Sequence, residues 1–426
     1  MRHNAGGENS STGRESNFSK LCFGGGVKGS ACANRKKLRT ISETRSLFRC
    51  KLTTMRGAAM KRSGILVLTP QSCGGGAQRV VLLLATHLAM DYETHLGIVL
   101  SEAPSVEFPD RVFVHRLSAR RVRGAAWSLL LLVWRLRPTV VLSGMAHLNF
   151  LVLLLRVFFP PRTRVLVRQN GTVSAALAAD SHPHLRRALY RLLYPHASRI
   201  LCQSEAMAED LARELRVDRS RLRVLPNPIE IDAVRAAEPL SIAWREAGPH
   251  LLAIGRLAPE KGFDLLLTAL VTLRGRFPHM EVAIAGMGGE ETRLRALAEE
   301  LNLQDRVHFL GAVPEPARLF SSPDLFVLSS RHEGMPNALL EAAAAGLPLV
   351  ALPACGGVVD LLRGQEGCWM AKEISAVALA DALSAALSRL SSGERFAHAW
   401  IERFRASHSA RACSEMIAEV LVGAHS

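Results

Sequence analysis

Two glutamates, Glu333 and Glu341, stand eight positions apart, separated by the turn Gly334-Met335-Pro336-Asn337 and the apolar run Ala338-Leu339-Leu340. Gly334 and Pro336 suit a tight turn that opens a helix. Glu333 then falls in the loop before the helix, and Glu341 inside it. Amides around Met335–Asn337 are free to donate to an anion or to hydroxyls. Carboxylates facing a polyhydroxylated ligand are good bidentate acceptors, so a sugar and a ribose are natural partners. The spacing alone equally describes a helix whose N-terminal acids are favoured by its dipole. A second pair is cationic: Arg256 and Lys261 stand five apart in Gly255-Arg256-Leu257-Ala258-Pro259-Glu260-Lys261-Gly262. They follow an apolar run, at the strand end where open α/β sheets bind ligands. Arginine as a fork and lysine as a compact charge suit a diphosphate; a solvated loop with a Glu260–Lys261 neighbour pair is the plainer alternative. The third feature is the loop Gly74-Gly75-Gly76-Ala77-Gln78. Its glycines would let a phosphate or sugar approach the backbone at a helix N-terminus. It is not GxGxxG, and no acidic residue ends a following strand in the dinucleotide-binding pattern. Gly286-Met287-Gly288-Gly289 is a similar loop further along.

These residues need elements to position them. Gly64–Thr69 is a short run rich in branched residues, as expected of a buried parallel strand. A helical stretch, Ala77–Met90, follows the glycine loop. Further strands are expected at His95–Leu100, Val112–Arg116, Thr139–Leu142, Arg164–Val167, Arg199–Cys202 and Arg223–Leu225, with room between them for crossover helices. Residues 236–249 carry prolines and break the apolar pattern. A second series then begins, with strands at His250–Gly255, Glu281–Ala285, Val307–Leu310, Leu325–Ser329 and Leu349–Leu352 and helices at Phe263–Arg276, Glu290–Leu301 and Ala338–Gly346. The expectation is an α/β protein of two doubly wound domains, 61–238 and 239–393, facing each other across a ligand cleft. A largely helical tail, 394–426, is expected to pack back on the first domain.

The 426 residues carry a formal net charge of +15, which taken whole suggests nucleic-acid binding. The charge is uneven: net +9 in residues 1–60, +10 in 61–240 and −4 in 241–426. The body has few helix-turn-helix or exposed-aromatic cues, so nucleic acid is not an expected partner. A hydrophobic content of 48% and a charged content of 21% exclude a wholly disordered or collagen-like chain. Residues 1–60 are rich in Ser, Gly, Asn and Arg without an apolar period. They read as a disordered basic leader resembling a transit peptide, or as sequence ahead of a true start at Met55 or Met60. The uncharged stretch 139–155 is interrupted by Ser143, Gly144, His147 and Asn149, which makes it a poor spanning helix. Eight cysteines are scattered without a CxxC pair, against a zinc site or disulfide framework and in keeping with a reducing cytoplasm.

Four blocks occur in order: GGGAQRVV (74–81), LPNPIEID (225–232), AIGRLAPEKGFDLLL (253–267) and EGMPNALLEAAAAGLPLVA (333–351). Together they resemble the retaining glycosyltransferases of family 4, which have the GT-B fold of two facing Rossmann-like domains. The resemblance covers about 64–390 and is densest over 199–360. It implies that the second domain binds a nucleotide sugar, most often a UDP-sugar, as substrate and with no cofactor. Arg256 and Lys261 match the cations that neutralise the donor diphosphate, and Glu341 matches the acceptor of the ribose hydroxyls. Glu333 matches the residue facing the donor sugar, and Gly334, Met335, Pro336 and Asn337 would offer amides to sugar and phosphate. Glu333, Arg256 and Lys261 are thus the expected catalytic set. Gly286 would border the base, while Gly74, Gly75 and Gly76 would approach the diphosphate or acceptor from the first domain. Transfer in this family keeps the anomeric configuration. Glu333 would act as a nucleophile by analogy with retaining glycosidases or, the preferred reading, hold the sugar while the acceptor attacks the same face. The family usually needs no metal; no Asp-x-Asp is present, and Glu230-x-Asp232 is its nearest approach. One departure stands out. Many members carry a histidine after the strand matching 164–168, where this chain has Arg168-Gln169-Asn170. Asn170 could still bond a sugar, and Arg168 and His147 are candidates for the cleft's acceptor side.

The first domain should choose the acceptor. Arg120, Arg121 and Arg123 precede an apolar stretch with Trp127 and Trp134, and Arg156, Phe158 and Phe159 follow later. The apolar residues of 124–134 surround the helix axis rather than forming one face. Basic, Trp-bearing apolar surface suits an anionic membrane interface; a core helix with basic flanks is the alternative. The expectation is peripheral association with the inner face of the cytoplasmic membrane. A lipid-linked or oligosaccharide acceptor of lipopolysaccharide or polysaccharide synthesis would follow.

Overall fold

Strand β1, Gly64–Thr69, is fully buried but for its first residue, because branched apolar side chains fill both faces of a parallel strand. In the computed structural model, residues 64–71, 75–100, 108–245, 247–354 and 356–422 are described. The leader 1–60 and Gly74 lie outside the described residues. Strands β2 (Glu93–Leu100), β3 (Val112–Ala119), β4 (Val140–Ser143), β5 (Arg164–Arg168), β6 (Arg199–Cys202) and β7 (Leu222–Val224) join β1 in a parallel sheet of order β3-β2-β1-β4-β5-β6-β7. Strands β8 (His250–Ile254), β9 (Glu281–Ala285), β10 (Val307–Gly311), β11 (Leu325–Leu328), β12 (Leu349–Ala351) and β13 (Cys368–Met370) form a second, of order β10-β9-β8-β11-β12-β13. Each sheet reverses its order beside its first strand, which places a crevice at the strand C-termini. These are the two doubly wound sheets of the expected α/β architecture. Only β13 escaped the sequence: three half-buried residues are too few to show a period.

Helices cover both faces of each sheet. The helix Gly76–Leu88 buries Val80, Val81, Leu84, Ala85 and Leu88, a one-face spacing of three and four. The helix Ala126–Leu136 also has one buried face, Leu129, Leu132 and Val133, but its outer face is apolar too: Trp127 is 71% exposed, with Leu131 and Trp134 beside it. The C-terminal helix Ala406–Val422 leaves the second sheet's side of the molecule and packs on Gly76–Leu88. Its Cys413, Met416, Ile417 and Val420 share a core with Ile65, Val67 and Leu84. A parallel bridge between Ile229 and Arg405 marks where this return passes the interlobe segment. Glu230 meets His87 at 2.6 Å and Asp232 takes Arg405 at 2.8 Å, so both acids serve this junction. Among the described residues no helix is long and apolar enough to cross a membrane.

Candidate functional site

Lys261 and Glu333, 72 residues apart, meet where the C-terminal ends of β8 and β11 lie side by side. Lys261 Nζ donates to Glu333 Oε1 at 2.5 Å, and Ser330 Oγ donates to the same oxygen at 2.7 Å. Two features bring the loops together. Gly262 has φ +61°, and a Cβ there would stand 2.1 Å from the Ser329 carbonyl oxygen, so only glycine permits the approach. Arg331 forks onto Asp264 at 2.8 and 2.7 Å and donates to the Pro259 carbonyl at 2.8 Å. That fork holds the Asp264 carboxyl below its ordinary range. Arg256 is 71% exposed on its side chain and pairs with Glu260 at 2.5 Å. Both expected diphosphate cations therefore carry an internal carboxylate partner.

Glu341 lies one turn into the helix Asn337–Ala344 and is buried, and burial pushes its carboxyl upward despite a cation beside it. That cation comes from the other lobe: Arg79, on the helix Gly76–Leu88, reaches Glu341 Oε1 at 2.7 Å. Asn337 Nδ2 donates to the Gly76 carbonyl at 3.0 Å beside it. Gly76 thus faces the glutamate helix directly, and a Cβ on it would stand 2.7 Å from Asn337 Nδ2. Gly334 is pressed still closer: a Cβ there would lie 2.3 Å from Gln203 Oε1 and 2.7 Å from the Asn170 carbonyl oxygen. Gly286 follows β9 at the C-terminal edge of the second sheet, with φ +142° and the Gly255 carbonyl 1.8 Å from where a Cβ would sit.

Beneath the contact runs a buried polar network. Arg168 is fully buried at the end of β5, and burial pushes its guanidinium down to about 10. It has no carboxylate partner among the described residues; it donates to Asn170 Oδ1 at 2.8 Å, to Asn227 Oδ1 at 2.7 Å and to the Leu225 carbonyl at 3.3 Å. Asn227 in turn donates to the Met335 carbonyl at 2.9 Å and to Asn337 Oδ1 at 2.5 Å. Asn170 Nδ2 donates to the Gly144 carbonyl. Arg168 therefore cannot face an acceptor, as its sequence position had suggested; it orients the asparagines that touch the second lobe. His147 stands exposed on the first turn of the helix Ala146–Leu155. On the first-lobe side of Glu333 a cavity of about 500 Å³ opens between Thr172, Ser174, Asp210 and His332.

The structure thus gathers Lys261, Glu333, Gly334, Met335, Asn337, Glu341, Gly76 and Asn170 at one lobe contact, with Gly75 capping the helix Gly76–Leu88 and Pro336 capping Asn337–Ala344. Arg79, Asn227, Gln203, Ser330 and the Arg331–Asp264 fork escaped sequence reasoning. Arg79 and Asn227 sit inside the quoted blocks GGGAQRVV and LPNPIEID, yet nothing in their spacing reveals a partner more than a hundred residues away. Among the described residues no group of three or more His, Cys, Asp or Glu side chains could hold a metal ion.

The sequence pattern of the Glycosyltransferase Family 4 matches residues 74–233, and that of Glycosyl transferases group 1 matches 235–406. The chain belongs to the family 4, group 1 glycosyltransferases. A Campylobacter jejuni relative, N-acetylgalactosamine-N,N'-diacetylbacillosaminyl-diphospho-undecaprenol 4-alpha-N-acetylgalactosaminyltransferase, is 27% identical over 319 residues, which are 72% of this chain and 85% of the relative. The lipopolysaccharide core biosynthesis glycosyltransferase LpsE of Rhizobium meliloti is 29% identical over 39% of this chain and 48% of its own. Among solved structures, the sucrose-phosphate synthase of Thermosynechococcus elongatus superposes with a TM-score of 0.71 at 18% identity, over 85% of this chain and all of that one. Anabaena HepE in complex with UDP and glucose superposes at 0.65 and 17%, over 84% of this chain and 99% of its own. These likenesses establish the GT-B fold of this glycosyltransferase.

Proposed function

We propose that this glycosyltransferase moves a sugar from a UDP-sugar to a lipid-linked or saccharide acceptor in cell-surface polysaccharide or lipopolysaccharide synthesis, with retention of the anomeric configuration. The observation that carries the reading is the 2.5 Å contact between Lys261 Nζ and Glu333 Oε1. A cation for a diphosphate and a carboxylate for a sugar, adjacent at one strand end, fit the two sides of a sugar–phosphate bond. The donor diphosphate would replace Glu333 on Lys261 and Glu260 on Arg256. Glu333, released, would accept from sugar hydroxyls. Charge developing on the leaving diphosphate would then face two positioned cations, the largest kind of catalytic stabilisation. Glu341, buried with Arg79 on one of its two oxygens, suits ribose hydroxyls on the other. Attack from the leaving group's own face is favoured over a covalent intermediate, because Glu333 is one holder among donors rather than half of a carboxylate dyad. The reaction needs no metal on this reading, and turnover is expected to persist in a chelator.

A lipid-linked acceptor suits the exposed apolar ridge Trp127, Leu131, Trp134, Leu154, Val157 and Phe158, set among the arginines of a lobe with net +10. Such a surface supports peripheral association with an anionic cytoplasmic leaflet. The experiment is a thermal-shift panel of nucleotide sugars, followed by release of nucleoside diphosphate with the selected donor and a polyprenyl-diphosphate acceptor. One donor should raise the melting temperature by mass action. Lys261→Ala and Glu333→Ala should each lower turnover about 100-fold or more. Full activity in both variants would overturn the assignment.

A further inference from the structure

Far from the cleft, at the N-terminal ends of β5, β6 and β7, a cavity of about 460 Å³ is lined by Arg156, Arg164, Arg199 and Arg221, with His196 beside them. The cleft residues Asn170, Gln203 and Asn227 follow the opposite ends of these strands. Many arginines of this chain sit against carboxylates, as in Arg331–Asp264, Arg187–Glu214 and Arg186–Asp180. These four do not. Arg221 donates to the Pro195 and Ala197 carbonyls at 3.0 and 3.1 Å, and Arg199 to the Ser198 carbonyl at 2.9 Å. The Arg156 and Arg164 side chains have no hydrogen-bond or ion-pair partner among the described residues, and the Nε atoms of Arg156 and Arg199 are buried without one. Two acids stand at the rim: Asp218 accepts the Ser220 amide at 2.9 Å and lies within electrostatic reach of Arg221, and Glu419 pairs with Arg223 at 3.6 Å. Burial, then the neighbouring charges of Arg164 and Arg221, push the Arg156 guanidinium downward.

Four arginines share the cavity with two acids, so positive charge is in excess, and an arriving anion would relieve the repulsion and fill the open donors. Convergent planar forks match the tetrahedral oxygens of phosphate better than a single carboxylate. The volume exceeds what a bare phosphate fills and lies in the range of small-molecule sites. We infer that this cavity is a second ligand site, separate from the donor cleft, and that it binds a phosphate ester. The ester is either a free metabolite or the headgroup of an anionic phospholipid; the second source would bring the exposed Leu154, Val157 and Phe158 beside Arg156 against the acyl region.

The test titrates the full chain with sn-glycerol 3-phosphate by calorimetry, and sediments it with phosphatidylcholine vesicles with or without phosphatidylglycerol. The variant is Arg156→Gln/Arg164→Gln, since neither side chain holds another group. Its affinity for the soluble ester should fall about tenfold or more, while its melting temperature holds or rises as the repulsion is relieved. Lys261→Ala should bind the ester as the unaltered chain does. If phosphatidylglycerol-dependent sedimentation also drops in the double variant, but not in Arg363→Gln/Lys372→Gln, the source is the headgroup. If sedimentation is unchanged while ester binding is lost, the source is a free ester. No ester uptake by the unaltered chain, or equal uptake by the double variant, overturns the inference.

Discussion

The two lobes share one winding, yet they handle charge in opposite ways. The second, net −4 with its tail, ties its site with ion pairs at loop ends: Lys261–Glu333, Arg331–Asp264 and Arg256–Glu260. The first, net +10, puts a lone arginine under its cleft surface and surrounds it with amides, Asn170 and Asn227, rather than carboxylates. A carboxylate beneath the cleft would cancel positive potential at its surface. An amide satisfies the guanidinium without that cancellation. On the proposed reading Lys261 and Arg256 trade their carboxylates for a diphosphate, whereas the first lobe's buried network stays in place.

That contrast can be broken in several ways. The largest effect is expected where the halves touch. In Gly334→Ala a Cβ would enter within 2.7 Å of the Asn170 carbonyl oxygen, and a displacement of about 1 Å at the site should lower turnover about 100-fold. Circular dichroism should show both lobes still folded; normal turnover would mean that the contact is not the working geometry. Next, Arg168→Met should strip Asn170 and Asn227 of their donor and cost about 2 kcal/mol in denaturant unfolding. Arg168→Lys should recover part of it. If Arg168→Met unfolds as the unaltered chain does, the scaffold reading fails. Arg79→Ala should cost about 1 kcal/mol, because its partner is buried but Arg79 itself is half exposed and screened; the same unfolding measurement reads it.

The smallest effect is a pH slope. Burial lifts the Glu341 carboxyl above its ordinary 4.5, so the native state keeps a proton that the unfolded chain has released. Native protein then binds more protons in that window, and stability falls as pH rises through it. Glu341→Gln should flatten melting temperature against pH from 4.5 upward. An unchanged slope would assign the dependence to another group.

Much of the fold was legible because parallel strands buried on both faces advertise themselves as branched apolar runs. Of the seven strands in the first sheet, all were expected within a few residues of where they lie. The strand β13 was not, because Cys368–Met370 is short and half-buried and gains its place only by pairing with β12. The helix Ala126–Leu136 read as apolar all round, and composition alone could not say which side was open. Only the packing of Leu129, Leu132 and Val133 leaves Trp127 and Trp134 outside. At the site, residue types and short spacings singled out Lys261, Glu333 and Glu341 as candidates, and the resemblance of the ordered blocks supplied their expected roles.

What the sequence determined by itself was the architecture and the ordered blocks, both of which depend on neighbours within about one element's length. What the tertiary structure decided was pairing across long separations: Arg79 with Glu341, Asn227 with Asn337, Gly334 against Asn170. It also turned Arg168 from a surface candidate into a buried support, and it gathered four arginines from separate segments into one cavity. The physical reason is that burial and the meeting of charges are properties of chain closure, and no local pattern of residue types encodes which distant side chain will arrive opposite.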